Sequence, residues 1–195
     1  EACRSRNQYV LDLSRPEVVD YCYEAVAGIL RSANIEYVKW DMNREHTDLH
    51  SNYLPVDRQG ELEHRYMLAV YELQERLMKE FPDLLLENCS GGGARFDAGM
   101  LYYSPQIWCS DDTDAIERLK IQHGTSMCYP CSAMGAHVSD CPNHTVGRNT
   151  PFKTRGHVAM VGTFGYELDV TRIPQEDRDA IPAQIEEFNK FNKLV

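Results

Sequence analysis

Short β-like runs alternate with longer helical stretches along nearly all of this 195-residue chain, and that alternation restricts the fold more than any other feature. Residues 8–13 read as a strand. Ser14 then offers an N-cap, and Pro16 falls early in the first turn of a helix running to about residue 33. Val18, Tyr21, Cys22, Ala25 and Ile29 recur along it at helical spacing. Residues 35–40 are the next strand, followed by a polar loop over 43–60. A second amphipathic helix covers 63–80, with Met67, Val70, Tyr71 and Leu77 on its apolar side and Pro82 closing it. The run at 84–89 is apolar enough for a strand buried on both faces. Further strands are expected at 106–110, 133–138 and 165–170, and helices at 113–123, 152–161 and 176–194.

Regular alternation of this kind implies an α/β fold, with a parallel sheet and crossover helices. Six βα units begin at residues 8, 35, 84, 106, 133 and 165. Six units do not close an eight-stranded barrel, so the sheet is either open or short of two units. The chain has neither an internal repeat nor a low-complexity linker.

Two acidic strings sit where strands should end: Tyr37-Val38-Lys39-Trp40-Asp41-Met42-Asn43-Arg44 and Trp108-Cys109-Ser110-Asp111-Asp112-Thr113-Asp114-Ala115. A (β/α) barrel presents its catalytic groups at such places. Two carboxyls delivered by two strand ends suit cleavage of a glycosidic bond, one as nucleophile and one as acid/base. Lys39 and Asp41 are two apart and project to one face, while Trp40 points into the strand–helix layer. A neighbouring lysine favours an ionised carboxylate, as a nucleophile requires. The bland alternative is a surface ion pair at a strand end, which is worth little. Asp112 and Asp114 suit a helix cap or first turn. Asp111 is therefore the better candidate to point into a site, where a like charge from Asp41 would favour the protonated form that an acid needs. The Cys89-Ser90-Gly91-Gly92-Gly93 loop lets backbone N–H groups approach a ligand. It lacks the Lys-Ser/Thr ending of a nucleotide loop, so a sugar-contacting loop or a plain tight turn fits better.

The net charge of −10 argues against nucleic acid or an anionic membrane as partner and suits a neutral substrate such as a sugar. No apolar run is long enough to span a bilayer, and no signal peptide is visible. The seven cysteines lack a repeating framework, which fits free thiols in a reducing, cytoplasmic setting. Cys128-x-x-Cys131 followed by Cys141-x-x-His144 has zinc-like spacing, but half-motifs of this kind arise by accident. Packing residues are the simpler reading, and no metal is expected. His46 and His50 would share a helix face but lie among polar residues, which suits solvated side chains.

The strings at 37–44, 89–97 and 108–122, in this order, resemble glycoside hydrolase family 36, the bacterial and fungal α-galactosidases. The resemblance continues through 132–139 and Pro142-Asn143-His144 and covers nearly the whole chain. It implies a (β/α)₈ TIM barrel and a retaining double displacement without a cofactor. By position Asp41 matches the nucleophile and Asp111, 70 residues later, the acid/base. Arg6, Lys39, Asn43, Cys89, Gly91 and Gly92 match galactose contacts. The resemblance further implies that the chain is a partial barrel, units three to eight. The first two units, an N-terminal β-sandwich and a C-terminal β-domain would belong to a longer protein, which would be a homo-oligomer.

Cys109 stands where the family commonly has threonine, and Cys128, Cys131 and Cys141 stand where cysteine is unusual. These departures touch fine substrate preference rather than the reaction. The expected activity is hydrolysis of terminal α-galactosyl residues from melibiose- or raffinose-type galactosides. A raffinose-synthase-like galactosyltransferase and an inactive sugar-binding remnant are the alternatives.

Overall fold

The computed structural model describes residues 3–44 and 46–194. The chain divides into two compact units, one of residues 1–90 with 97–104 and the other of 91–96 with 105–195.

The first unit contains α1 (Pro16–Ser32), β1 (Tyr37–Asp41), a 3₁₀ turn (Val56–Glu61), α2 (Leu62–Glu80), β2 (Leu85–Cys89) and α3 (Ala98–Tyr103). Pro16 opens α1, with Glu17 in the first turn and Arg31 in the last, both favourably placed on the helix dipole. β1 and β2 are parallel, with Tyr37 opposite Leu85, Lys39 opposite Glu87 and Asp41 opposite Cys89. Behind them Ala27, Leu30, Leu77 and Leu84 form a core against which Val38 and Trp40 pack. Trp40 thus faces the helices, as its alternation with Lys39 and Asp41 requires. Gln74 of α2 and Asn88 of β2, both fully buried, pair through their amides at 2.7 and 3.2 Å. Asn88 also donates to Ser104 Oγ at 2.7 Å, so the helix layer meets β2 through satisfied polar groups.

The second unit contains β3 (Gln106–Trp108), α4 (Ala115–Ser126), β4 (Met134–Ser139), α5 (Phe152–Ala159), β5 (Thr163–Glu167) and α6 (Gln175–Phe191). β3 pairs with β4 and β4 with β5, again in parallel, with Trp108 opposite Gly135 and His137 opposite Gly165. Val138, Phe152 and Ala159 centre its core, against which Phe164, Tyr166 and Ile181 pack. Parallel strands alternating with helices are the α/β arrangement expected from the sequence. Among the described residues, no helix is long and apolar enough to cross a membrane.

Several expectations need correction. Residues 8–13 are not a strand, so five strands rather than six occur among the described residues. Arg6 and Asn7 turn the chain at φ 51° and 58°, with Ser5 and Gln8 bridged across the turn. Asp12 then draws the backbone N–H of Ser14 into a side-chain turn at 3.1 Å. No strand among the described residues pairs with 8–13, and strand propensity without a ladder partner does not make a strand.

Ser14 does not cap α1. Its hydroxyl donates to Asp12 Oδ1 at 2.5 Å, and the cap position falls to Arg15. The buried stripe of α1 is Val19, Ala27 and Leu30, while Tyr21 and Ile29 point to solvent. On α2 the expectation holds for Val70 and Leu77, but Tyr66, Ala69, Leu73 and Gln74 complete the buried face. β3 is shorter than expected because Ser110 and Asp112 take up backbone N–H groups at Asp112 and Asp114. β5 starts and ends earlier than expected, since pairing with β4 fixes its register and Asp169 closes a turn on Thr171. α3 was not legible in the sequence.

Candidate active site

In the first unit Asp41 is the last residue of β1, and its carboxylate is exposed. Asn43 donates its amide to Asp41 Oδ2 at 2.5 Å, and Arg6 Nη1 reaches the Asn43 carbonyl at 3.4 Å. Arg6, Asp41 and Asn43 line a cavity of about 350 Å³ together with Tyr9 and Trp40. The pairing of β1 with β2 continues past the strand end. Met42 N–H donates to the Cys89 carbonyl at 3.1 Å, and Ser90 Oγ donates to the Met42 carbonyl at 3.0 Å. Asp41 and the buried Cys89 therefore sit side by side at the ends of two paired strands. A carboxylate fixed in this way, with an amide on it and a guanidinium lining the same cavity, can attack an electrophilic carbon while its neighbours hold hydroxyl groups.

Lys39 reaches across to the neighbouring strand. Its Nζ lies 3.6 Å from Oε1 of Glu87, which is 1% exposed and also accepts from the Tyr37 hydroxyl. The sequence reading missed Glu87, although a charged residue inside the run Leu84-Leu85-Leu86-Glu87 was a visible signal.

In the second unit Asp111 lies three residues beyond β3 and is exposed. The indole Nε1–H of Trp108 donates to its Oδ1 at 3.0 Å. The Trp108 ring in turn carries the Arg118 guanidinium, whose carbon is 4.1 Å from the ring centre, and the stacked ring of His137 at 4.7 Å. Arg118 also reaches Cys109 Sγ at 2.6 Å and the Gly135 carbonyl at 3.3 Å. Asp114 caps α4 by accepting from the N–H groups of Ile116 and Glu117, and Asp112 accepts from Asp114 N–H. Both serve the turn and the helix start, where their position in the sequence suggested they would lie.

Gly91 and Gly92 have φ of 54° and 84°, where only glycine is at ease. A Cβ on Gly92 would stand 2.9 Å from Ser110 Cα, and one on Gly93 would stand 2.7 Å from the Cys109 carbonyl oxygen. The glycines thus let the loop lie directly against the backbone that carries Asp111. The sequence marks Asn143 only as part of the motif Pro142-Asn143-His144. It is buried and donates to Thr113 Oγ1 at 3.0 Å, tying the loop after β4 to the segment after β3.

Other candidates do not join these groups. Among the described residues, no three His, Cys, Asp or Glu side chains stand where they could hold one metal ion. Cys141 contacts Asn149 Oδ1 and the carbonyls of Arg148 and Thr150. No disulfide joins cysteines among the described residues. His46 packs edge-on against Tyr66 at 4.2 Å rather than standing in solvent. A larger cleft of about 920 Å³ between α5 and α6 contains none of the expected site residues.

A model of the Melibiase family matches residues 1–195. The chain is 55% identical over 190 residues to the alpha-galactosidase AgaA of Geobacillus stearothermophilus, covering 97% of this chain and 26% of the relative. It is 55% identical over 193 residues to the alpha-galactosidase Mel36A of Lactobacillus acidophilus, covering 99% and 26%. The crystal structure of AgaA superposes with a TM-score of 0.97 at 54% identity, covering 100% of this chain and 27% of that one. The galactosidase domain of AgaSK superposes with a TM-score of 0.93 at 54% identity, covering 100% and 26%. The chain spans about a quarter of the length of the curated relatives it matches.

Proposed function

The chain belongs to the Melibiase family, and from that premise we propose that it supplies part of the catalytic (β/α)₈ barrel of a longer α-galactosidase. The enzyme removes terminal α-galactosyl residues from melibiose- and raffinose-type galactosides with retention of configuration. Asp41 attacks the anomeric carbon while Asp111 protonates the departing oxygen. Asp111 then deprotonates the water that releases galactose from the glycosyl-enzyme. Arg6, Lys39, Asn43, Cys89, Gly91 and Gly92 hold the galactosyl ring. No cofactor takes part, since both proton transfer and nucleophilic attack fall to carboxyl groups.

The observation that carries this reading is the pair of strand-end carboxyls, each engaged by a side-chain donor: Asp41 by Asn43, and Asp111 by Trp108. Crystal structures of AgaA with raffinose and with stachyose carry aspartate replacements that lie 70 positions apart in that enzyme. Asp41 and Asp111 have the same separation, which supports assigning them as the pair. We take the full-length protein to be a cytoplasmic oligomer; the free thiols of this chain are compatible with a reducing compartment.

Replacement of each carboxyl in the complete enzyme tests the roles. Asp41→Ala should abolish turnover, and azide should restore it with β-galactosyl azide as the product. Asp111→Ala should remain active on substrates with good leaving groups, which need little acid assistance. An active Asp111→Asn beside an inactive Asp112→Asn would move the acid/base by one position.

A further inference from the structure

We propose that Trp108 is a positioning residue for Asp111, and that Arg118 is the buried clamp that sets the Trp108 ring. The inference rests on the acid/base reading of Asp111. Asp111 stands in a turn-rich segment three residues past β3, and its carboxylate is exposed. A short side chain in that position has rotamer freedom that an acid/base catalyst must lose. The indole N–H supplies the restraint, 3.0 Å from Oδ1. An indole nitrogen donates and never accepts. Oδ1 is thereby held as an acceptor, and in the acid form the transferable proton sits on Oδ2. The same contact selects which oxygen faces the leaving group and which later takes the proton from water.

The ring can act as a fixed point because it is itself held. Trp108 is 4% exposed and Arg118 3%. The Arg118 guanidinium lies over the indole and is fixed by Cys109 Sγ and the Gly135 carbonyl, so it cannot swing away without losing both. A desolvated cation–π contact of this sort resists displacement of the ring. His137 stacks on the same indole and is oriented by Glu167 Oε2, 2.6 Å from its Nδ1. A buried indole N–H usually finds some acceptor, so the bond alone could be a matter of satisfying Trp108. A positioning role differs in one measurable respect: it acts on the protonation step and spares reactions that do not need it.

Steady-state kinetics of the complete enzyme on raffinose and on a dinitrophenyl α-galactoside separate the two. Trp108→Phe keeps an aromatic ring and removes the donor. It should lower kcat/KM on raffinose by about tenfold to a hundredfold, part of the ~10²–10⁴ that a general acid contributes. On the dinitrophenyl substrate it should stay within about threefold of the parent. Arg118→Lys keeps the charge but not the planar fork, and should show the same split in weaker form. Equal losses on both substrates, or no loss on raffinose, would overturn the proposal. Should Trp108→Phe fail to fold, Arg118→Lys decides by the same criterion. Asp111→Asn, assayed in parallel, separates the two readings. If it shows no dependence on the leaving group, the acid/base assignment itself fails. If it shows that dependence and Trp108→Phe does not, only the positioning role fails.

Discussion

The ammonium group of Lys39 stands 3.6 Å from a carboxylate oxygen of Glu87, the residue directly opposite it on the neighbouring strand. Tyr37, Lys39 and Asp41 share one face of β1, and Glu87 engages the first two from β2. A carboxylate that is 1% exposed is costly to bury unless it is paired and hydrogen-bonded. Tyr37 and Lys39 meet that cost, and in return Lys39 is held on the same strand face as Asp41.

Glu87→Gln should therefore weaken substrate handling while leaving a hydrogen-bond acceptor for Tyr37. The expected loss in kcat/KM for raffinose is about tenfold or more, or ~1.4 kcal/mol per tenfold. Kinetics and thermal unfolding on the same preparation check this. An unchanged kcat/KM would reduce the pair to a structural contact.

Gly92 and Gly124 should respond in opposite ways to alanine. Gly92 has φ 84°, and its Cβ would press on the Ser110 backbone at 2.9 Å. Gly92→Ala should cost about 1–3 kcal/mol in local strain and displace Asp111, with activity falling further than stability explains. Gly124 lies within α4, and a Cβ there would meet nothing within 4 Å. Gly124→Ala should stabilise by roughly 0.5–1 kcal/mol with activity intact. Denaturant titration and activity assays on the two variants give the comparison. Equal behaviour would mean that the glycine loop does not support Asp111 through close packing.

Burial pushes the Tyr166 hydroxyl up to about 12, from an ordinary tyrosine value near ~10. It donates to Gln184 Oε1 at 2.7 Å, and its ring packs edge-on against Phe164 at 5.2 Å. The folded state therefore holds this proton more tightly than the unfolded state. The stabilising contribution is fully present below about pH 10 and is lost as pH rises from there towards about 12. Thermal melts across that window should fall more steeply for the parent than for Tyr166→Phe. Parallel slopes would refute the assignment.

The local pattern of the chain carries a great deal of this information. Lys39, Trp40 and Asp41 alternate faces because successive strand residues must, so the inward pair and the core-facing tryptophan could be read directly. Asp112 and Asp114 were legible as turn and cap residues, since a short carboxylate before a helix satisfies its first N–H groups. Residues 8–13 looked like a strand for an equally local reason, but a strand exists through its neighbour, and propensity does not reveal one. The apolar face of α1 differs from its sequence pattern because Tyr21 and Ile29 look buried by type, whereas packing buries Val19, Ala27 and Leu30, the last two against Leu77 of α2.

The sequence by itself determined the βα alternation, the strand-end carboxyls and the glycines that only a close approach explains. The tertiary structure alone decided how the groups around those carboxyls are themselves held. Lys39 and Glu87 lie 48 residues apart in the chain and meet only because β1 and β2 pair in one register. Trp108 and Asp111 are close in sequence, yet the ring that makes the contact is packed by Arg118 from α4 and His137 from β4. Pairing register and side-chain packing are non-local. They are selected by the free energy of the whole folded arrangement, which no window of sequence contains.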